Sequence, residues 1–264
     1  MLEPLLAVLA GLLIGSFLNV CVFRLPRDLS VVQPRSFCPG CEKTIAWYDN
    51  LPILSFLLLR GRCRNCHERI PIRYPIVELT TAVAFGMSVA AFGVSLNALK
   101  YCVFSAIMIT LVATDIETQI LPDEFTLGGA VLGVIFALLV PFPPGLMMLL
   151  LAGKLSPRWV AASEAVFAAV VASGMIWFIG WIFEKLRHRE GMGLGDVKMI
   201  AMIGTFLGLQ ATLLTLIAAS LLGSVFGLAY AAVKRKDWRT HELPFGSFLG
   251  AAALLIAALY SRVT

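Results

Sequence analysis

Apolar residues come in long blocks separated by short polar connections. The blocks are long enough to cross a hydrocarbon core of about 30 Å, which takes roughly 17 to 25 helical residues. The first covers about 5 to 23, the second 76 to 93, the third 97 to 114 and the fourth 125 to 141. Four more follow at about 160 to 183, 197 to 208, 211 to 233 and 244 to 261. The pattern predicts an all-α polytopic membrane protein of about eight transmembrane helices, give or take one. The sixth block is short, and only Gly208, Leu209 and Gln210 separate it from the seventh. The block from Leu5 to Phe23 is too long for a signal-peptide core, follows an acid (Glu3) and has no evident small-residue cleavage site, so it reads as a retained first span.

Composition agrees with this division. Of 264 residues, 59% are hydrophobic and 14% charged, and the mean hydropathy is +0.88, which does not suit a soluble surface. The net charge of +5 does not point to nucleic acid, because the basic residues are not gathered on one segment with aromatic platforms between them. They report topology instead. With the N-terminus outside, the inner connections 24–75, 115–124, 184–198 and 234–243 carry 17 of the 21 Lys and Arg. Outside lie only Lys100, Lys154, Arg158 and Arg262. This asymmetry predicts that both termini face away from the cytoplasm.

Three regions follow: the first transmembrane helix (1–23), a cytoplasmic loop domain (24–75) and a helical membrane core (76–264). Within the loop, Leu51 to Leu59 is apolar but too short to span, so it reads as a small core or an interfacial helix. About fifty residues bury little core unaided. No long repeat, low-complexity tract or heptad is evident. Spans five to eight are rich in small residues, such as Ala218, Ala219 and Ser220, which suit close helix packing in lipid.

The loop supplies a reason to hold together. It contains Cys38, Pro39, Gly40 and Cys41, then, after 21 intervening residues, Cys63, Arg64, Asn65 and Cys66. Two CxxC knuckles can close a tetrahedral thiolate site for Zn²⁺, although this spacer is one residue beyond the usual range. Disulfides or free thiols are the alternatives, and a cytoplasmic position disfavours disulfides. His67 is an alternative ligand or a surface residue. Cys21 and Cys102 sit inside apolar blocks as small hydrophobes.

Two acids stand out in the membrane core. Asp115 ends the third block, and Asp196 follows the glycine-rich Gly191, Met192, Gly193, Leu194 and Gly195. Each has an ordinary reading. Asp115 reads as a flanking interfacial charge, and Asp196 as an N-cap placed by a turn that Gly193 and Gly195 shape. Lys198 is either a flanking charge or a partner of Asp196. Pro122 and Asp123 read as a helix start, with Asp123 and Glu124 as capping and dipole residues. The charge-based topology nevertheless puts Asp115 and Asp196 on one membrane face. Two carboxylates a few ångströms apart cannot both ionise comfortably, so one holds a proton and the pair can work as base and acid on water and a peptide carbonyl. A cation or proton transporter would use the same acids, but internally repeated halves or midplane helix breaks are not evident. A zinc-stabilised membrane scaffold without catalysis is a third reading.

Further residues recur around these features: Gly15 to Val20 with Arg24, Leu25 and Pro26; Arg73, Tyr74 and Pro75 with Glu78; Ile120 to Asp123; and Gly193 to Lys198. In this order and with this hydropathy, the sequence resembles the prepilin peptidases, or type IV leader peptidases. These are bifunctional bacterial membrane aspartic proteases and N-methyltransferases serving type IV pili, type II secretion and competence. The resemblance covers nearly the whole chain, with one small departure: Leu121–Pro122 stands where the family usually has Ile-Pro. It implies an inner-membrane enzyme that removes the basic leader from prepilins or pseudopilins at the cytoplasmic face. The enzyme would then methylate the new N-terminus from S-adenosylmethionine. Asp115 and Asp196 would be catalytic, with Gly193, Gly195 and Lys198 supporting them. Cys38, Cys41, Cys63 and Cys66 would hold one structural zinc. Asn19, Arg24 and Glu78 match family positions and are candidates for methyl transfer, with loop anchoring and helix-end satisfaction as the alternative. No glycine-rich Rossmann turn after a strand marks a methyl-donor site.

Overall fold

The computed structural model describes residues 2–140, 142–143, 145–151, 153–187, 193–234 and 244–260. The acid Glu190, the glycine-rich Gly191 and Met192, Arg262 and nearly all of the basic connection 234–243 lie outside them. Among the described residues, nine α-helices follow one another: α1 (Leu2–Arg24), α2 (Leu54–Leu58), α3 (Arg73–Phe92), α4 (Leu96–Thr118), α5 (Asp123–Leu139), α6 (Leu146–Leu151), α7 (Pro157–Arg187), α8 (Leu194–Lys234) and α9 (Phe245–Tyr260). Among the described residues there is no extended strand, only isolated antiparallel bridges at Phe37–Thr44 and Arg62–Arg69. The all-α reading holds.

Among the described residues, five helices are long and apolar enough to cross a membrane: α1, α3, α4, α7 and α8. Helix α5 has 17 residues and α9 has 16. The sixth and seventh blocks form one helical run, α8, broken only at Gly208 (φ 80°, ψ 171°). That left-handed value suits glycine, so the chain bends there without a connecting loop. With α5, α9 and the two arms of α8 counted separately, the described residues hold one longer apolar helix for each of the eight expected blocks. The short α6 was not anticipated. Glu164 of α7 is only 4% exposed and accepts the Met147 amide of α6 at 2.7 Å, which commits its carboxylate to structure.

By internal packing the chain divides into two units, Met1–Thr114 and Asp115–Thr264, with the boundary inside α4. In the first unit α1 packs along α3. A Cβ added at Gly11 would lie 2.6 Å from the Ala82 Cα, and one at Gly15 would lie 2.7 Å from the Glu78 Cα. Glycines four apart let the two backbones touch, which replaces the hydrophobic drive that lipid does not supply. In the second unit α8 is central and packs against α5, α7 and α9. Its first arm buries Met199, Ile200, Met202, Ile203 and Phe206 completely. Ala165, Ala168 and Ala172 form a buried small-residue row on α7, and a Cβ at Gly204 would lie 2.9 Å from the Ala169 backbone. Close contact between α7 and α8 therefore again depends on small residues.

Candidate metal centre and acid pair

The cysteines sit on two hairpin-like knuckles that repeat one another at an offset of 25 residues. In the first, the Cys38 amide donates to Lys43 O (3.0 Å), the Glu42 amide to Cys38 O (2.8 Å) and the Ile45 amide to Ser36 O (2.8 Å). In the second, Cys63 donates to Glu68 O (2.8 Å), His67 to Cys63 O (3.0 Å) and Ile70 to Gly61 O (2.8 Å). Glu42 and His67 hold matching left-handed φ values of 56° and 58°. This short repeat is faint in the sequence because only the cysteines and one isoleucine carry it. His67 closes the second knuckle and lies outside the sulfur cluster.

All four sulfurs lie within 4.8 Å of one another, with Cys38 Sγ and Cys66 Sγ 3.7 Å apart. A tetrahedron with Zn–S bonds of about 2.3 Å has edges of about 3.8 Å, so the donor set fits a tetrathiolate zinc site with no open position. Backbone amides of Cys66 and Asn65 hold the Cys63 sulfur and pull its pKa down to about 7, whereas Cys38, by burial, and Cys66 are pushed up. Beside the second knuckle, Arg64 binds Asp49 through two hydrogen bonds of 2.7 and 2.6 Å, and this keeps the Asp49 carboxyl below its usual range.

Asn19, Arg24 and Glu78, all buried, hold backbone. Asn19 Nδ2 donates to Gly15 O (3.3 Å) and Tyr74 O (3.1 Å). Arg24 donates to Ser30 O (2.8 Å) and Pro34 O (2.6 Å), and Glu78 Oε2 accepts the Ile53 amide (2.7 Å). Of the three, only Asn19 keeps a buried polar atom without a partner, its Oδ1.

The two aspartates fall in one unit and lie close enough for their charges to interact. Asp115 occupies the last turn of α4 and is 5% exposed. Its Oδ2 accepts both the backbone amide (2.5 Å) and the hydroxyl (2.7 Å) of Ser247, in the first turn of α9. Helix N-termini offer free amides and a positive dipole end, which suit a carboxylate. Gly246 is what permits the approach, since an added Cβ would lie 3.0 Å from the Asp115 Cγ. Neither Gly246 nor Ser247 was singled out in the sequence. The only local signal was Pro244 ahead of an apolar block, a helix-start mark with no indication of what faces it.

Asp196 is half-buried and stands in the first turn of α8, its amide donating to Gly193 O (3.1 Å). The N-cap expectation is corrected: the helix begins at Leu194, because the glycine turn tightens earlier than the apolar pattern indicates. A Cβ at Gly193 would be 3.9 Å from Asp196 Oδ2, and one at Gly195 would be 3.2 Å from the Leu121 side chain. Gly195 thus lets α8 approach the Leu121–Pro122 turn. Lys198 pairs with Asp123 (2.7 and 2.9 Å) instead of Asp196. The Pro122–Asp123 helix start is present, with α5 beginning at Asp123.

Residues 9–92 match the Bacterial Peptidase A24 N-terminal domain and residues 102–228 match the Type IV leader peptidase family. The chain is 35% identical over 259 residues to a prepilin leader peptidase/N-methyltransferase of Neisseria gonorrhoeae, covering 89% of this chain and 84% of that relative. It is also 35% identical over 272 residues to the Pseudomonas putida protein of the same description, with 94% and 87% covered. A type 4 prepilin-like proteins leader peptide-processing enzyme of Escherichia coli O78:H11 is 34% identical over 278 residues, with 97% and 95% covered. No solved structure matches. Matched along most of its length, the chain belongs to the type IV leader peptidase family.

Proposed function

We propose that this multi-pass membrane protein cleaves the basic leader from prepilins or pseudopilins and methylates the amine thereby exposed. The observation that carries the peptidase half is the placement of Asp115 and Asp196 in one unit, at the end of α4 and the start of α8, with Ser247 binding the first. Because two donors converge on its Oδ2, Asp115 is the charged member and the base, while Asp196 carries the shared proton. A water between them gives a proton to Asp115 as its oxygen attacks the scissile carbonyl, and Asp196 gives its proton to the carbonyl oxygen. Collapse of the tetrahedral species breaks the C–N bond and returns a proton to the leaving amine. The reaction uses no covalent intermediate, and the zinc of the 24–75 domain takes no part in it. Gly193 and Gly195 set the height of Asp196. Lys198, bonded to Asp123, supports the turn at Leu121–Pro122.

Orientation follows from the charge asymmetry: both termini lie outside the cytoplasm and the aspartates face it, where a basic leader remains while the substrate's apolar helix stays in lipid. S-adenosylmethionine supplies the methyl group. Among the methyl-transfer candidates, Arg24 and Glu78 are committed to loop backbone and serve as anchors, and Asn19 is the residue whose free Oδ1 suits a ligand.

Mass spectrometry of a co-expressed prepilin tests both halves at once, since leader loss and the gain of a methyl group appear in one spectrum. Asp115→Asn and Asp196→Asn should each abolish cleavage in detergent with expression intact. Appreciable cleavage by either variant sinks the two-aspartate mechanism. Both variants should still methylate a pre-cleaved peptide.

A further inference from the structure

The segment between the two knuckles is built inside out. Its one polar side chain from Leu51 to Leu59, Ser55, is 6% exposed and is used internally, donating to Tyr48 O and accepting the Leu51 amide, both at 3.0 Å. Leu54, Leu57 and Leu58 are 51%, 65% and 73% exposed, and Trp47 is 72% exposed. The small-core expectation for this stretch therefore fails. A surface meant for water carries the opposite arrangement, and a cluster of exposed leucines marks a contact with something apolar.

A second observation fixes its place along α3. Ile53, the residue before α2, donates its amide to Glu78 of α3, one of the helices long and apolar enough to cross a membrane. Glu78 is five residues into α3, roughly 7.5 Å along the axis at 1.5 Å per residue. Ile53 accepts a left-handed φ of 57° to make this bond, an unfavourable value for a β-branched residue. The leucines thus leave the chain beside the first turns of a spanning helix. A third observation is the flanks: Trp47 and Tyr48 precede the leucines, and exposed Arg60 and Arg62 follow them. Aromatic residues and arginines in this order are those that settle at a headgroup boundary, rings at the glycerol level and guanidinium groups on phosphate.

We propose that residues 47–59 form a wedge seated in the leaflet that α3 enters. Leu54, Leu57 and Leu58 enter the top of the acyl region, about 5 to 10 Å deep as for interfacial helices, and Arg60 and Arg62 lie on phosphates. The wedge holds the zinc knuckles on both sides of it against the membrane. The occupant is lipid, and this inference does not depend on the peptidase mechanism.

The test uses the full chain in lipid nanodiscs with Trp159, Trp177, Trp181 and Trp238 changed to phenylalanine, leaving Trp47 as the only tryptophan. Lipids brominated near the glycerol end should remove most of the Trp47 emission, lipids brominated at the chain end far less, and aqueous iodide little. Leu57→Asp combined with Leu58→Asp should reverse this ranking while zinc content, the control for folding of the loop, stays unchanged. Trp47 quenched by iodide and untouched by brominated lipid overturns the proposal. Protection from iodide that appears only with two copies per disc, or only after an apolar prepilin-like helix is added, overturns it in favour of a second copy or of substrate.

Discussion

The sulfur cluster and the acid pair solve the same problem, bringing reactive groups together, by opposite means. The four cysteines span residues 38 to 66, and each knuckle is closed by backbone hydrogen bonds within ten residues of chain. The knuckles need little from the rest of the protein, because metal–sulfur bonds pull them together and supply folding free energy outright. The acid pair has no such glue. Asp115 and Ser247 are 132 residues apart, and Asp196 comes from the start of a third helix. Nothing in their chemistry draws the carboxylates together, since like charges repel, so rigid helix packing must hold them. A ligand-driven site can be written locally, whereas a pair that repels itself has to be imposed by a scaffold.

The comparison breaks most visibly at the acids. Asp115→Asn or Asp196→Asn should lower leader cleavage by roughly 10²- to 10⁴-fold, the usual worth of general acid or base catalysis. Zinc content, measured by elemental analysis, should be unaffected. Loss of zinc in these variants would mean that the two sites are not independent. The converse variant, Cys38→Ser with Cys41→Ser, should bring bound zinc to background and lower the melting temperature. A metal-free wild type with full activity would show that no zinc is needed.

The scaffold side is sharpened by α9. Ser247→Ala removes one of two hydrogen bonds to a charged group, worth about 1.5 to 3 kcal/mol, so kcat should fall at least about tenfold. KM should change little and Ser247→Thr should restore activity. Gly246→Ala should act in the same direction by pushing a methyl group into the Asp115 carboxylate. In the first unit, Gly15→Ala should loosen the α1–α3 crossing and cost about 1 to 3 kcal/mol as overpacking, read as a lower melting temperature with the acid pair untouched. The smallest effect is expected for Lys198→Ala. Its bond to Asp123 is partly solvent-exposed, and such pairs contribute about 0 to 1 kcal/mol. Cleavage reduced more than a few-fold would return Lys198 to the catalytic machinery.

Much of this was legible in the amino-acid sequence for a physical reason. Lipid forces backbone satisfaction within each helix, so apolar length alone gives the spans, and metal geometry restricts thiol spacing, so CxxC pairs give the ligands. The glycine-rich approach to Asp196 and the apolar block ending at Asp115 marked both acids as unusual. Their proximity was inferred only as a shared membrane face, and a face is a far coarser statement than a place in one packed unit. Gly11 passed unread, and Gly15 was noted only as part of a motif, because a glycine spacing does not name the helix that will touch it. Sequence reading left open the partner of Lys198 and the capping role of Asp196, because each depends on where a neighbouring turn stops, which varies by a residue or two.

The amino-acid sequence by itself determined the helices, the charge asymmetry and the sulfur donors, all of which depend on nearest neighbours or on the solvent each segment requires. Only the tertiary structure decided that α9 presents Ser247 and Gly246 to Asp115, that Lys198 turns to Asp123, and that the leucines between the knuckles point outward. Those choices come from packing between segments distant in the chain, where one missing Cβ or one hydrogen bond to a carboxylate selects an arrangement that no local pattern encodes.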